Sequence, residues 1–218
     1  MSGFGAQLDG FRLLPGLLGR AEQIALRDAV FERLRAAPLY IPRMPKSGAP
    51  LSVRMSNFGP LGWVTDKAQG YRYQPLHPET GKPWPDIPPK LMEIWENYCG
   101  YAAPPEACLV NYYEGDARMG LHVDSDEDDW DAPVLSVSLG DTALFRIGGS
   151  VRSDPTRSVR LASGDVAILG GASRRVFHGV DRVLPGTSSL LPKGGRINLT
   201  LRRVTIPQAA SDAPAKAD

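Results

Sequence analysis

The sequence predicts an α+β fold that is mostly β, a two-sheet jelly-roll core with two helices packed outside it. Three observations lead there. Eight short stretches with strand-like alternation follow one another from residue 107 onward, separated by Gly, Asp and Pro turns. Ahead of them, two segments carry apolar residues at helical spacing. The 218 residues are 42% hydrophobic and 22% charged, which suffices for one globular domain with a full core.

In chain order, a short loose start leads to residues 20 to 37 (RAEQIALRDAVFERLRAA), which read as one amphipathic helix. Ile24, Val30 and Leu34 recur at helical spacing, and Pro38 stops the run. A second helix is expected near 89 to 99, where Leu91, Ile94 and Trp95 share a face and Gly100 follows as a cap. Between the helices the chain is rich in Pro, Gly and aromatics. Such a stretch is expected to build little core and to serve as a flap over a site. The eight strands are ACLVNYY, RMGLHVD, PVLSVSLG, TALFRIG, SVRLA, DVAILG, RVFHGV and GRINLTLRRV. The organisation is therefore an N-terminal extension over 1–106, a jelly-roll core over 107–206 and a disordered tail over 207–218, one catalytic domain in all.

The 25 basic and 24 acidic side chains leave a formal charge of +1, so any basic footprint for nucleic acid has to be local. No run approaches the roughly 20 apolar residues of a membrane span. The N-terminus lacks the basic and apolar regions of a signal peptide. Cys99 and Cys108 fit unpaired thiols better than a secreted disulfide scaffold, and the cytoplasm is the expected location. Nothing suggests an obligate oligomer, so a monomer without a membrane partner is expected.

His122 and Asp124 stand two apart in RMGLHVD. On a strand, positions i and i+2 point to one face, so both side chains can reach one point, while Leu121 and Val123 face the core. One imidazole, one carboxylate and a distant second His form the facial triad of non-haem iron(II) oxygenases, which leaves positions open for a cosubstrate and dioxygen. His178 is the natural third ligand, since the remaining His77 lies in a Pro-rich loop. By itself the His-x-Asp triplet is a weak signal.

GRINLTLRRV discriminates better. Arg196, Asn198, Thr200 and Arg202 fall on one strand face, with Ile197, Leu199 and Leu201 on the other. Two arginines on a buried strand are costly unless something anionic pairs with them. Six residues separate them by roughly 20 Å, and two inward-leaning guanidinium groups can clamp a small ligand with a carboxylate at each end. 2-Oxoglutarate is such a ligand, and its keto acid end chelates iron. A solvent-facing edge strand with ordinary arginines is the competing reading. Asn111 and Tyr113 alternate onto one face of ACLVNYY and can hydrogen-bond the same cosubstrate.

Taken together, NYYEGDARMGLHVDSDE, FHGV and RINLTLR resemble the AlkB family of dioxygenases, over about residues 50 to 203. MSNFGPLGW, GYRY and GKPWP match that family's nucleotide-recognition flap, and PVLSVSLG matches a core strand. The resemblance implies a double-stranded β-helix (jelly roll) that binds iron(II), 2-oxoglutarate and O2. It implies that His122, Asp124 and His178 hold iron, and that Arg196 and Arg202 bind the two cosubstrate carboxylates with help from Asn111, Tyr113 and Asn198. Trp63 and Tyr71 would line the substrate pocket, Met55 would pack nearby, and Asp126 would face the exocyclic amine of the base. The implied substrate is a nucleobase of the 1-methyladenine or 3-methylcytosine type, in single-stranded DNA and also in double-stranded DNA or RNA. Formaldehyde, succinate and CO2 are the implied products.

This chain departs from the family by one extra residue between Trp63 and Tyr71, and by Tyr112 where bacterial members are basic. Ring-methylated bases of this type are cationic, so stacking on Trp63 gains cation–π attraction of about 1 to 2 kcal/mol when desolvated. The methylated atom lies on the pairing edge, so the base has to be flipped out or single-stranded. Within the acidic run DSDEDDWD only Asp124 and Asp126 receive functions; the other members are expected in a solvated loop. Seven arginines against three aspartates between 146 and 182, Arg152 among them on the substrate side, offer phosphate contacts or ordinary surface charge. Two rival readings stay open: a dioxygenase of this fold acting on a protein or small molecule, and a non-enzymatic β-sandwich that binds nucleic acid.

Overall fold

Polar and apolar residues alternate along the last strand, and the structure buries both of its faces. The structure, a computed structural model, describes residues 9–208. Its elements are β1 (Phe11–Leu14), α1 (Arg20–Arg33), β2 (Arg54–Phe58), β3 (Gly62–Asp66), β4 (Gly70–Gln74), α2 (Pro89–Tyr98), β5 (Ala107–Tyr113), β6 (Met119–His122), β7 (Val134–Gly140), β8 (Thr142–Ile147), β9 (Arg157–Leu161), β10 (Val166–Leu169), β11 (His178–Leu184) and β12 (Arg196–Arg202). An antiparallel six-stranded sheet runs β1-β10-β7-β12-β5-β2, a four-stranded sheet runs β6-β11-β8-β9, and β3-β4 form a separate hairpin. The expected jelly-roll core is thus present. β12 sits between β5 and β7, so it is no solvent-facing edge strand.

Two hydrophobic layers flank the large sheet. On one face Ile197, Leu199, Leu201 and Val137 pack with Val30, Leu91 and Trp95 from the two helices. On the other, Leu109, Ala167 and Leu169 meet Phe145, Ile147 and Val180 of the smaller sheet. Each fully buried Leu or Val is worth about 1.5–3 kcal/mol, and this double cover makes every residue of β12 buried. The site described below opens within the second layer, between the sheets.

α2 follows expectation, with Leu91, Ile94 and Trp95 buried and Gly100 at a φ of 64° just past its end. α1 is shorter than expected. Leu34 caps it, and Arg35 and Ala36 donate to the carbonyls three residues back, a tightening that ends the α-helical ladder. Its buried line is Gln23, Leu26 and Val30, whereas Ile24 is exposed.

The loose start contains β1, which pairs with β10 from Phe11↔Leu169 to Leu14↔Val166. The Pro/Gly-rich stretch is likewise more than a cover. β2 extends the large sheet beside β5 and buries Met55 and Phe58. Further on, 171–175 form a 3-10 turn, so the strand expected from 175 begins at His178. β6 stops at His122, Asp124 follows it, and Leu121 and Val123 are half-buried rather than in the core. Among the described residues no helix is long and apolar enough to cross a membrane. The expected disordered tail lies outside the described residues from 209 on.

Candidate active site

Strand register brings the histidines together. β6 pairs with β11 so that His122 stands directly opposite His178, with ring centroids 4.6 Å apart. Gly179 permits this approach, because a Cβ there would lie 2.6 Å from the Met119 carbonyl. Asp124 turns in beyond the end of β6. Its Oδ1 is 3.5 Å from His122 Nε2 and its Oδ2 is 3.5 Å from His178 Nε2. One ligand atom from each of the three residues falls within 4.8 Å of the others.

Both imidazoles are oriented in the same way. His122 Nδ1 lies 3.0 Å from the Gly120 carbonyl, and His178 Nδ1 lies 3.0 Å from the Val176 carbonyl. A carbonyl can only accept, so each Nδ1–H donates and each Nε2 lone pair is left facing the centre. Two neutral imidazoles and one carboxylate on one side of a point are the donor set that suits iron(II). His77 cannot join them. Its Nδ1 accepts from the Glu79 and Thr80 amides, and its Nε2 donates to the Pro38 carbonyl.

Burial opposes ionisation of Asp124, but Arg202 and the two histidines outweigh it and hold the carboxyl well below its ordinary range. For His122, burial disfavours the charged form, and the hydrogen bond and charge of Asp124 reverse that, raising it above the ordinary imidazole value.

A cavity between the sheets joins this cluster to the polar face of β5 and β12, with Asn111, Tyr113, Asn198 and Arg202 on its wall. The pairings Asn198↔Asn111 and Arg196↔Tyr113 set these side chains next to one another. Arg202 donates to Asp124 Oδ1 at 2.6 Å, to Glu127 Oε1 at 2.8 Å and to the Tyr73 hydroxyl at 3.1 Å. Arg196 lies off the cavity wall. It is 1% exposed, donates to Ser138 Oγ at 3.0 Å and rests over the Tyr113 ring at 5.3 Å. Burial pushes the Tyr113 hydroxyl up to about 12, against the opposing charge of Arg196. Asn198 donates to Ser136 Oγ at 2.6 Å and accepts from Thr200.

Among the described residues, the buried side-chain atoms lacking a hydrogen-bond partner are Asn111 Oδ1, Arg196 Nε and Nη1, and Arg202 Nε. Buried polar atoms without a partner are rare; here Asn111 and Arg202 line the cavity, and Arg196 rests over Tyr113 of its wall. Three are guanidinium donors, whose missing acceptors a small dicarboxylate supplies; the fourth, Asn111 Oδ1, is an acceptor and needs a donor instead. Iron(II) with 2-oxoglutarate is therefore consistent with the residues present.

Trp63 and Tyr71 stack on the β3–β4 hairpin at 5.6 Å, and Tyr71 is 48% exposed. Trp63 Nε1 donates to Asp126 Oδ2 at 2.7 Å, which ties the hairpin to the loop after Asp124. Met55 is buried beneath, on β2. Arg152 donates to the Leu121 carbonyl at 2.7 Å, with its guanidinium over Phe177. None of these five lines the inner cavity.

Three residues of the site escape the sequence reading: Tyr73, Glu127 and Arg174. Glu127 and Asp129 are buried, so the acidic run is not a solvated loop at those two positions. Glu127 neutralises Arg202 on one side and Arg174 on the other, at 2.9 Å. Asp129 accepts from the Tyr101 hydroxyl at 2.5 Å and from two backbone amides. Arg174, one of the seven arginines considered for phosphate contact, is 2% exposed and bound to Glu127 and two carbonyls. The available signal was that buried arginines demand anions, which applied to glutamate as well as to ligand.

Residues 10–202 match the family model of the 2OG-Fe(II) oxygenase superfamily. The alpha-ketoglutarate-dependent dioxygenase AlkB homolog of Caulobacter vibrioides is 58% identical over 194 residues, covering 89% of this chain and 87% of that protein. The alpha-ketoglutarate-dependent dioxygenase AlkB of Escherichia coli is 43% identical over 164 residues, covering 72% and 73%. The solved structure of OsALKBH1 superposes with a TM-score of 0.74 at 30% identity, covering 91% of this chain and 98% of that one.

Proposed function

The chain belongs to the 2OG-Fe(II) oxygenase superfamily and, within it, to the AlkB family, and from that premise we propose that it oxidatively removes alkyl groups from nucleobases. It is an iron(II)- and 2-oxoglutarate-dependent dioxygenase that consumes O2. The substrates in this reading are lesions of the 1-methyladenine and 3-methylcytosine type in single-stranded DNA, with double-stranded DNA or RNA as further carriers. The enzyme works as a cytoplasmic monomer, and 1–106 and 107–206 act as one catalytic domain.

In this reading His122, Asp124 and His178 hold the metal through two Nε2 atoms and a carboxylate oxygen. Arg202, Arg196, Asn111, Tyr113 and Asn198 provide for the cosubstrate. Iron, 2-oxoglutarate and O2 together supply the hydroxylation of the N-methyl carbon, after which formaldehyde leaves and the base is restored. The protein's share is positioning and charge. Trp63 and Tyr71 present a stacking face to a cationic ring, and Asp126 presents a carboxylate to its amine. The apolar wall of Phe145, Leu169 and Val180 keeps water from the metal side of the cavity. Arg152 and its exposed neighbours meet the phosphates.

The observation that carries this reading is the link between the two halves of the site. A half-exposed aromatic pair suited to a flat cation sits on a hairpin that is hydrogen-bonded through Trp63 to the Asp126 carboxylate of the neighbouring loop, and through Tyr73 to Arg202 and from there to Asp124. The test is mass spectrometry of a single-stranded oligonucleotide bearing one 1-methyladenine or 3-methylcytosine. It is incubated with protein, iron(II), 2-oxoglutarate, ascorbate and air, beside a chelated control. Loss of the methyl mass only with iron is expected. Consumption of 2-oxoglutarate without methyl loss would redirect the search to a protein or small-molecule substrate.

A further inference from the structure

The β3–β4 hairpin reaches the interior through one side chain. In its register Trp63 stands opposite Tyr73 and Thr65 opposite Tyr71, so all four share a face. The outer pair, Trp63 and Tyr71, stacks where solvent reaches it. Tyr73 turns inward. Its hydroxyl donates to Glu127 Oε1 and accepts from Arg202 Nη1.

Those contacts belong to a closed ring of buried groups. Glu127 Oε1 also accepts from Arg202 Nη1, and Glu127 Oε2 accepts from Arg174 Nη2 at 2.9 Å. Arg174 Nη1 donates to the backbone carbonyl of Asp124 at 2.8 Å, and Arg202 Nη2 donates to the side chain of Asp124 at 2.6 Å. Two carboxylates and two guanidinium groups cancel, so the ring is balanced in charge. A guanidinium is planar, and fixing Nη1 and Nη2 fixes the direction of Nε. Nε is the one Arg202 nitrogen without a partner. Tyr73 and Glu127 therefore aim the atom left over for the cosubstrate.

We propose that Tyr73 is a positioning residue that couples seating of the hairpin on a nucleobase to binding of 2-oxoglutarate, through Glu127 and Arg202. This rests on the nucleobase reading above. A base that draws Trp63 and Tyr71 down onto itself holds Tyr73 against Glu127, and Arg202 is then kept in the orientation the dicarboxylate needs. Binding linkage is reciprocal, so each ligand tightens the other by the same factor. The exposed Trp63–Asp126 hydrogen bond also fastens the hairpin but makes no side-chain contact with Arg202 or Glu127.

The test is calorimetry on the full chain loaded with Mn(II) in the absence of oxygen. The Kd for 2-oxoglutarate is measured with and without a saturating 1-methyladenine oligonucleotide. The wild type is expected to bind the cosubstrate about fivefold or more tightly with the oligonucleotide present. In Tyr73→Phe that ratio falls to near one. A purely structural defect would weaken both measurements together and leave the ratio intact. Glu127→Gln, which keeps the side-chain shape, should lower the ratio as well and serves if Tyr73→Phe does not fold. A wild-type ratio of one, or an unchanged ratio in a folded variant, overturns the coupling. Methyl loss with a ratio of one removes this inference and spares the proposed function. Absence of both methyl loss and oligonucleotide binding removes the function itself.

Discussion

Replacing Arg196 with methionine should stabilise the free protein while abolishing its response to 2-oxoglutarate. Arg196 is 1% exposed, and among the described residues no carboxylate lies within ion-pairing distance of it. Burial lowers its pKa, only partly opposed by Tyr113. The charge is offset by one hydrogen bond to Ser138 and the face of Tyr113, with Nε and Nη1 left over. An unpaired buried ion costs several kcal/mol, of which a desolvated cation–π contact returns about 2 and a charged hydrogen bond a similar amount. An unbranched apolar side chain in its place should gain about 1–3 kcal/mol. For a chain of this size that raises Tm by about 2–12 °C. The wild type, given Mn(II) and 2-oxoglutarate at a hundred times its Kd, should gain about 2.7 kcal/mol, or about 5–11 °C. Differential scanning calorimetry on both proteins, with and without cosubstrate, reads both effects. An Arg196→Met variant that melts below the metal-free wild type, or that keeps the full cosubstrate shift, would refute the reasoning.

Three further outcomes follow from the geometry. Trp63→Ala should weaken a 1-methyladenine oligonucleotide by about 5–30-fold, the equivalent of about 1–2 kcal/mol of cation–π attraction; equal weakening of an unmethylated oligonucleotide would remove the charge argument. Gly179→Ala forces β6 away from β11 at the level of the two histidines, and metal affinity by titration should fall about tenfold or more. Burial opposes ionisation of Glu127, but Arg202, Tyr73 and Arg174 outweigh it, so its folded pKa lies below the ordinary 4.5. The unfolded chain then binds more protons, and this contribution to stability is full above about pH 4.5 and lost as pH falls through the folded value. Tm should drop on that acid side, and Glu127→Gln should flatten the drop; a parallel acid profile in the variant would exclude Glu127 as its source.

The elements that could be read from the sequence are those whose signal is local. Period-two alternation in ACLVNYY and GRINLTLRRV sets Asn111 and Tyr113, and Arg196 to Arg202, on single faces, because side chains on a strand alternate whatever lies around them. The same holds for Leu91, Ile94 and Trp95 on α2. The flap was half legible. Its Pro and Gly content announced turns, but that Arg54–Phe58 would become a strand of the large sheet depended on an open edge at β5.

By itself, then, the sequence determined the succession of strands along the chain from residue 107 on, the polar face of β12, and the residue types suited to iron and to a dicarboxylate. Tertiary structure decided which distant groups meet. His178 faces His122 only through the β6–β11 register, which joins positions far apart in the chain. Likewise, nothing local separates Glu127 from its exposed neighbours Asp126 and Asp128; it is buried because Arg174 and Arg202 arrive from other elements to neutralise it. Periodicity is a property of a segment, whereas the burial of a charge depends on the partner it finds, and that partner exists only once the chain has folded.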